Sequence, residues 1–476
     1  MTLKIYNTLT KKKETFSESE YSEIKMYVCG PTVYDEAHLG HARTYVCFDM
    51  IRRYLEHKGY SVKLVLNFTD IDDKIIKKSK ETGLSTKEIS DKYIKSFLED
   101  ISNLNIKVAY IYPRVSEHIE DIINFIEKLI DKGYGYISDD GVYFDTSKYL
   151  NYGQLGNIKK DSAIQSQRVK SYSKRNPSDF ALWKFSEDEP NWESPWGRGR
   201  PAWHIECSVM SMKYLGETIH IHGGGNDLIF PHHENERAQS ECYLNKEWVK
   251  YWIHTGYVMV NDEKMSKSLG NFITIKELLK RYNFEVIRLF LLQRHYRTPI
   301  EYSEKGLSEV EINLNKLYNT LNRIGNFLKY SECVHKLDNL DIETYEKIKM
   351  LVGEFYKCMD DDFNTPEALK KVYEIESVIN KYLNQAKTLN KFILLYTLQF
   401  FNNFGYIFGI LNNLENKQNN DYNNEINYLI DILINIRKEL KSIKNYELSD
   451  KIRDDLKNIG IMLEDTPKGT IWKKVK

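Results

Sequence analysis

The sequence predicts an α/β protein: a nucleotide-binding parallel-sheet domain with an inserted segment, then an α-helical bundle and a small mixed C-terminal module. Three observations carry this. A strand, helix, strand pattern fills residues 25–68, with His38-Leu39-Gly40-His41 at its first crossover. From about Ser303 the chain turns to long apolar-periodic segments. A polar tract, Asn416 to Asn424 (NKQNNDYNN), then sets off the remainder as a module of its own.

Taken in order, Lys25–Cys29 reads as a buried strand and His41–Lys58 as a helix. The stripe of that helix is read as Ala42, Tyr45, Val46, Phe48, Asp49 and Ile51, apolar but for the aspartate, and Gly59 stops it. Ser61–Phe68 is the second strand, and ligands of such a half-fold gather at the carboxyl ends of its strands. A helix over Ser116–Asp131 and a Gly/Tyr-rich stretch up to about Arg200 interrupt the sheet. Thr218–His222 resumes a strand, a turn is expected at Gly223-Gly224-Gly225, and a helix is expected to begin at Pro231, a favoured first helical position. Tyr251–Val260 reads as a strand leading into Lys264-Met265-Ser266-Lys267-Ser268. Bundle helices are predicted over Leu307–Phe327, Tyr345–Met359, Thr365–Leu389 and Lys391–Leu414. The expected domains are 1–302 with an insertion at about 115–200, then 303–415, then 425–476.

A chain of 476 residues suggests two to four domains. Basic and acidic residues balance, 68 against 68, so no global field draws in a polyanion and an RNA partner has to be held by local patches. The N-terminal stretch has no apolar core of leader length, and no segment approaches a membrane-spanning run. Cys29, Cys47, Cys207, Cys242, Cys333 and Cys358 are scattered, unlike a disulfide framework. The expectation is a reduced, cytoplasmic protein.

Two short motifs carry the chemistry. His38-Leu39-Gly40-His41 places two imidazoles around a glycine at a helix start; Lys264-Met265-Ser266-Lys267-Ser268 places a lysine pair beside two hydroxyls. Alone, the first reads as a helix cap and the second as a solvated basic loop. Together, a domain's length apart, they are what is needed to hold the triphosphate of ATP while its α-phosphorus is attacked. His38, His41, Lys264 and Lys267 are the expected catalytic groups, with Lys267 on the departing pyrophosphate. Gly40 lets adenine or ribose approach the backbone, and Asp227 is a candidate for the ribose hydroxyls.

The pair resembles the HIGH and KMSKS motifs of class I aminoacyl-tRNA synthetases, with Leu39 where isoleucine is more usual, a swap of similar volume. Five stretches are similar to those of cysteinyl-tRNA synthetases in particular: MYVCGPTVYDEAHLGHAR (Met26 to Arg43), NFTDIDDK (Asn67 to Lys74), GRPAWHIECS (Gly199 to Ser208), HGGGNDLIFPHHENE (His222 to Glu236) and KMSKSLGN (Lys264 to Asn271). The resemblance runs from Ile5 to the terminal GIMLEDTPKGTIW (Gly460 to Trp472). It implies a Rossmann-type catalytic domain whose insertion holds the acceptor end of tRNA. The reaction it implies is activation of L-cysteine by ATP to cysteinyl-adenylate, followed by transfer to tRNA(Cys).

The resemblance further implies one Zn²⁺ per chain, held by Cys29, Cys207, His232 and Glu236, with Mg²⁺ accompanying ATP. His232 and Glu236, four apart on a helix, point from one face. Read without the resemblance, the residues do not choose His232 over His233, buried apolar cysteines are the favoured reading of Cys29 and Cys207, and a closed structural zinc is a second alternative. A hydrophobic pocket separates cysteine from serine poorly, whereas zinc prefers a soft thiolate to a hydroxyl. Substrate contacts are expected from Cys29, Thr69, Trp203 and His222. In the terminal module Arg453, Asp454 and Trp472 can read an anticodon by stacking and hydrogen bonds, or can equally form a salt-bridged surface. The implied partners are tRNA(Cys), ATP and L-cysteine, with no membrane; a monomer is expected.

Overall fold

The computed structural model describes residues 2–16, 23–158, 173–260, 263–265, 272–330, 333–334, 338–411, 430, 433–442, 445–458, 461–466 and 469–474. Two short antiparallel strands, β1 (Lys4–Asn7) and β2 (Lys12–Thr15), precede β3 (Glu23–Val28). Helix α1 (Leu39–His57) crosses to β4 (Ser61–Leu66), and α2 (Asp73–Thr82) and α3 (Thr86–Asn103) follow. The inserted segment comprises α4 (Ile119–Asp131) and four strands: β5 (Gly135–Ser138), β6 (Gly141–Phe144), β7 (Phe180–Phe185) and β8 (Gly199–Pro201). Then come α5 (Ile205–Leu215), β9 (Ile219–Gly225), α6 (Glu234–Leu244) and β10 (Val249–Thr255).

Strands β10, β9, β3 and β4 pair in that order, all parallel. Such a sheet is covered on both faces, which is why β3 runs apolar without alternation: Met26, Tyr27 and Val28 are all fully buried. Chain order runs one way from β3 to β4 and the other way from β9 to β10. The crevice between the carboxyl ends of β3 and β9 is therefore a topological switch point. The inserted strands form a separate antiparallel sheet, β5-β6-β7-β8, packed on α4 through Phe144, Leu182, Trp183, Ile122 and Ile126.

Three sequence expectations are corrected here. The triple glycine is not a turn: Gly223, Gly224 and Gly225 continue β9 and pair with Ile253, His254 and Thr255. A Cβ on Gly223 would lie 2.3 Å from both the Ile253 carbonyl oxygen and the Phe48 ring, so close packing of strand and helix is what requires the glycine. Pro231 does not open a helix. Residues Ile229–His233 form one wide turn with Phe230 extended, as a residue before proline prefers, and α6 starts only at Glu234. Finally, Tyr251–Val260 is two strands, because β10 ends at Thr255 and β11 (Val258–Val260) joins a small sheet with β12 (Glu263–Lys264) and β13 (Ile300–Glu301).

Helices α7 (Ile275–Leu279) and α8 (Phe284–Leu292) lead into α9 (Glu304–Tyr330), α10 (Asn339–Asp360), α11 (Thr365–Gln385) and α12 (Lys391–Phe408). Their ends are set by caps more than by periodicity. Asp338 and Asp341 form a capping box on α10, and Asn364 caps α11. Gly409, left-handed at φ +66°, ends α12 short of the expected Leu414. A buried ion cluster ties α12 to the catalytic domain. Asp49 on α1 accepts from Arg53 Nε at 2.7 Å and Arg288 Nη2 at 2.6 Å, while Arg288 also donates to the carbonyls of Phe408 at 2.8 Å and Leu104 at 3.0 Å.

The chain divides into two compact units, Met1–Leu411 and Asn412–Lys476. In the second, a helix (Tyr446–Asn458) and a hairpin (Ile461–Thr466 with Gly469–Lys474) gather Ile430, Leu456, Ile461 and Leu463 into a small core. The polar tract 416–424 lies outside the described residues. Among those residues, no helix is long and apolar enough to cross a membrane.

Candidate active site and metal centre

The first motif caps α1. The His41 amide donates to His38 Nδ1 at 3.4 Å, and the His38 amide donates to His41 Nδ1 at 3.2 Å. The two rings stack 3.8 Å apart. Imidazoles here do what Ser and Glu do in an ordinary capping box, and both also line a cleft of about 640 Å³ at the switch point. The cap and the site are therefore the same object. A Cβ on Gly40 would stand 3.0 Å from the His38 ring, so the glycine first of all makes room for the stacked imidazole.

Met265, the second residue of the lysine motif, is buried against this corner and lines the cleft. The Lys264 side chain and residues 266–271, Lys267 included, lie outside the described residues. The chain returns at Phe272 and pairs with the first motif: Leu39 N donates to the Ile273 carbonyl at 2.9 Å, and Ile275 N to the Ala37 carbonyl at 3.0 Å. Asp227, in the short turn after β9, lines the cleft, as do Thr44 and Thr255, whose hydroxyls are 3.0 Å apart. No motif in the sequence marks either threonine.

At the other end of the cleft four buried donors converge. Cys29 follows β3, Cys207 lies in the first turn of α5, His232 lies in the wide turn before α6, and Glu236 is on α6. Their ligand atoms all lie within 4.8 Å of one another. The two Sγ atoms are 3.7 Å apart, and His232 Nε2 is 3.0 Å from Glu236 Oε1. Two thiols, an imidazole and a carboxylate fit a tetrahedral site for a borderline-soft divalent cation. Glu236 Oε2 makes no well-aligned hydrogen bond, although His222 Nε2 lies 3.0 Å away.

A second set, Cys29, His222, His233 and Glu236, is equally compact. Of the two histidines the sequence left open, His232 lines the cleft together with Cys29 and Cys207. His233 lies behind them, fully buried, with Nε2 3.2 Å from Cys29 Sγ and Nδ1 2.7 Å from His254 Nε2. His254 in turn meets the Thr8 hydroxyl at 2.8 Å. Burial pushes His233 well below its ordinary range and His254 down to about 3, so both imidazoles are neutral supports. Burial opposes a charged His232 as well, yet Glu236 and Cys207 carry it up to about 10. Burial would raise the Glu236 carboxyl, but His232 and His222 outweigh it and hold Glu236 well below the usual carboxylate range.

Trp203 stacks on His232 with centroids 4.5 Å apart and forms part of the cleft wall. The Thr69 hydroxyl donates to Glu206, which sequence reasoning missed although it stands inside the quoted AWHIECS stretch. Glu206 is buried on the cleft wall, and burial together with the Cys207 charge pushes its carboxyl well up. His222 sits behind Glu236, stacked on Tyr27 at 5.1 Å. In the terminal unit Arg453 and Asp454 are exposed on the helix, and Trp472 packs partly on the small core beside its strand partner Leu463.

Comparison with known proteins agrees with this geometry. The family described as tRNA synthetases class I (C) catalytic domain matches residues 15–312, and the DALR domain family matches residues 354–412. A cysteine--tRNA ligase of Thermococcus gammatolerans is 55% identical, with 100% of both chains covered. Those of Methanococcus aeolicus and Pyrococcus horikoshii are 57% and 56% identical, covering 99% and 100% of this chain and 100% of each relative. Among solved structures, a Mycobacterium tuberculosis methionyl-tRNA synthetase in complex with methionyl-adenylate shares the fold at TM-score 0.61 and 15% identity, over 82% of this chain and 89% of its own. A cleft at the switch point, two imidazoles capping its first helix and full-length relatives of one kind together place the chain in the cysteinyl-tRNA synthetase family of the class I aminoacyl-tRNA synthetases.

Proposed function

We propose that the protein activates L-cysteine with ATP and transfers the cysteinyl group to tRNA(Cys), using His38, His41, Lys264 and Lys267 on the nucleotide and Cys29, Cys207, His232 and Glu236 as ligands of one zinc ion. The observation that carries this reading is that one cleft joins the two ends: the imidazole cap of α1 lines it, and so do Cys29, Cys207 and His232.

In the first half-reaction a cysteine carboxylate oxygen bonds to the α-phosphorus of ATP, the bond to the bridging oxygen breaks, and pyrophosphate leaves. The nucleophile is already ionised, so the protein has to align the reactants and stabilise charge on the phosphates. The amino end of α1 and the stacked pair His38/His41 line the cleft and are assigned to the phosphates, and Asp227, also on its wall, is assigned to the ribose hydroxyls. In the second, a hydroxyl of the terminal ribose of tRNA attacks the carbonyl carbon and AMP leaves. Zinc, when bound, supplies a soft Lewis acid that distinguishes a thiolate from a hydroxyl.

The chain's own residues shape the remaining contacts. Trp203, held over His232, narrows the pocket to a small side chain. Thr69 and Glu206, joined by a hydrogen bond on the cleft wall, offer a hydroxyl and a carboxyl to the substrate ammonium end. His222 and His232 brace Glu236 from either side. Charging unfractionated tRNA with each labelled amino acid tests the function: cysteine alone should be incorporated. Incorporation of a different amino acid, or none, would sink it.

A further inference from the structure

We propose that Lys276 is a positioning residue for nucleotide activation: it clamps the segment that carries His38 to the segment that follows the lysine motif, and so sets the geometry of the imidazole cap. The inference deepens the proposed function, because the cap it positions is the one assigned to ATP.

Residues 36–39 and 273–276 lie side by side. Two main-chain hydrogen bonds, Leu39 N to the Ile273 carbonyl and Ile275 N to the Ala37 carbonyl, flank an antiparallel bridge between His38 and Thr274. Among the described residues this pairing belongs to no larger sheet, and the two main-chain hydrogen bonds set its register. Lys276 adds a side-chain clasp. Its Nζ lies 3.0 Å from Glu36 Oε2 and donates to Ser96 Oγ at 2.7 Å, and the Ser96 hydroxyl donates to the same Glu36 oxygen. Three elements are thereby joined: the loop before α1, the first turn of α7, and α3. Helix α3 also reaches the cleft itself, since Tyr93 and Phe97 line it.

A fourth group makes the clasp adjustable. Asp100 stands one turn beyond Ser96 on α3 and is fully buried, and neither of its oxygens meets a hydrogen-bond donor among the described residues. The charged groups that face it are Lys276 from α7, Glu36 from the loop and Glu99 from its own helix. Burial pushes the Asp100 carboxyl up to about 7, against the pull of Lys276. Below that pH Asp100 is neutral and the ammonium belongs to Glu36 and Ser96. Above it, Asp100 is charged and draws the ammonium away from Glu36, which loosens the hold on residues 36–39.

The test uses the full chain and cysteine-dependent ATP–pyrophosphate exchange. Lys276→Met should lower kcat on the order of tenfold or more, with KM for cysteine unchanged, because only alignment of the nucleotide end is lost. Lys276→Arg, which keeps the charge and the reach, should recover most of it. Imidazole NMR signals of His38 and His41 should move in Lys276→Met while those of His232 stay, a readout that holds whichever amino acid the enzyme activates. The wild-type rate should fall as pH rises through about 7, and Asp100→Asn should abolish that inflection. Wild-type kcat in Lys276→Met, unmoved His38 signals, or an Asp100→Asn profile that keeps the inflection would each overturn the assignment. So would a loss accompanied by lower melting temperature and not recovered by arginine.

Discussion

Cys207 lies 3.7 Å from a second thiol, Cys29, and both line the cleft, a placement that separates a ligand's role from a core filler's by experiment. A thiol that merely filled a core would lose stability on exchange for serine but would release no metal, whereas a ligand would release it. Cys207→Ser should therefore reduce bound zinc from about one per chain and weaken cysteine binding together. X-ray absorption on the wild type should show a further sulfur around the metal on saturation with cysteine, and no change with serine. A closed structural site would leave the sulfur count unchanged. At this scale the sequence was legible where the family resemblance singled out rare chemistry, since the residues alone do not connect donors so distant. Cys29, Cys207, His232 and Glu236 stand within one cluster although 178 residues separate the two thiols. It was least legible where ordinary residues act through position. Glu206, Thr44 and the His233–His254–Thr8 chain have no spacing that sets them apart, and only the fold brings them together.

At the scale of elements, Arg288 shows how the helical region is fastened to the catalytic domain. It is fully buried on α8, and it satisfies Asp49 on α1 as well as the terminal carbonyl of α12. A Cβ on Gly409 would fall 2.3 Å from its guanidinium, so the left-handed end of α12 is shaped around it. Burial would raise the Asp49 carboxyl, but Arg288 and Arg53 hold it below its ordinary range. Arg288→Met removes one partner from a buried carboxylate and should cost about 3–5 kcal/mol in denaturant unfolding. A cost under about 1 kcal/mol would show the cluster to be incidental. Element identity was readable from periodicity throughout the bundle, yet the bounds moved wherever a cap decided them, as at Asp338 and Gly409. The glycine run misled for a physical reason. Glycine marks a turn when φ is positive, but here it marks backbone approached too closely for any side chain.

On the scale of the whole molecule, the second compact unit begins at Asn412 and contains Arg453, Asp454 and Trp472. Since the cleft lies wholly within the first unit, deleting residues 412–476 should spare cysteine-dependent ATP–pyrophosphate exchange and weaken charging of tRNA. Unimpaired charging, still sensitive to the anticodon, would remove those three residues from recognition. The sequence suggested a module after the polar tract but did not describe its surface. Trp472 shares its face with Leu463 and the small core, so the most suggestive aromatic is half committed to packing.

The order of strands in the central sheet also sets a timetable for the newborn chain. Strand β3 sits between β4, which follows it closely, and β9, which is made much later. Cys29 and Glu236, the first and last of the four donors, are 207 residues apart, which at about 5–20 residues per second on the ribosome is roughly 10–40 s of synthesis. For that interval Cys29 belongs to half a sheet with an open edge, and no donor set exists to receive an ion. An ion held by these four donors would therefore load late in the making of each molecule, after the emerging Cys29 thiol had waited for its partners.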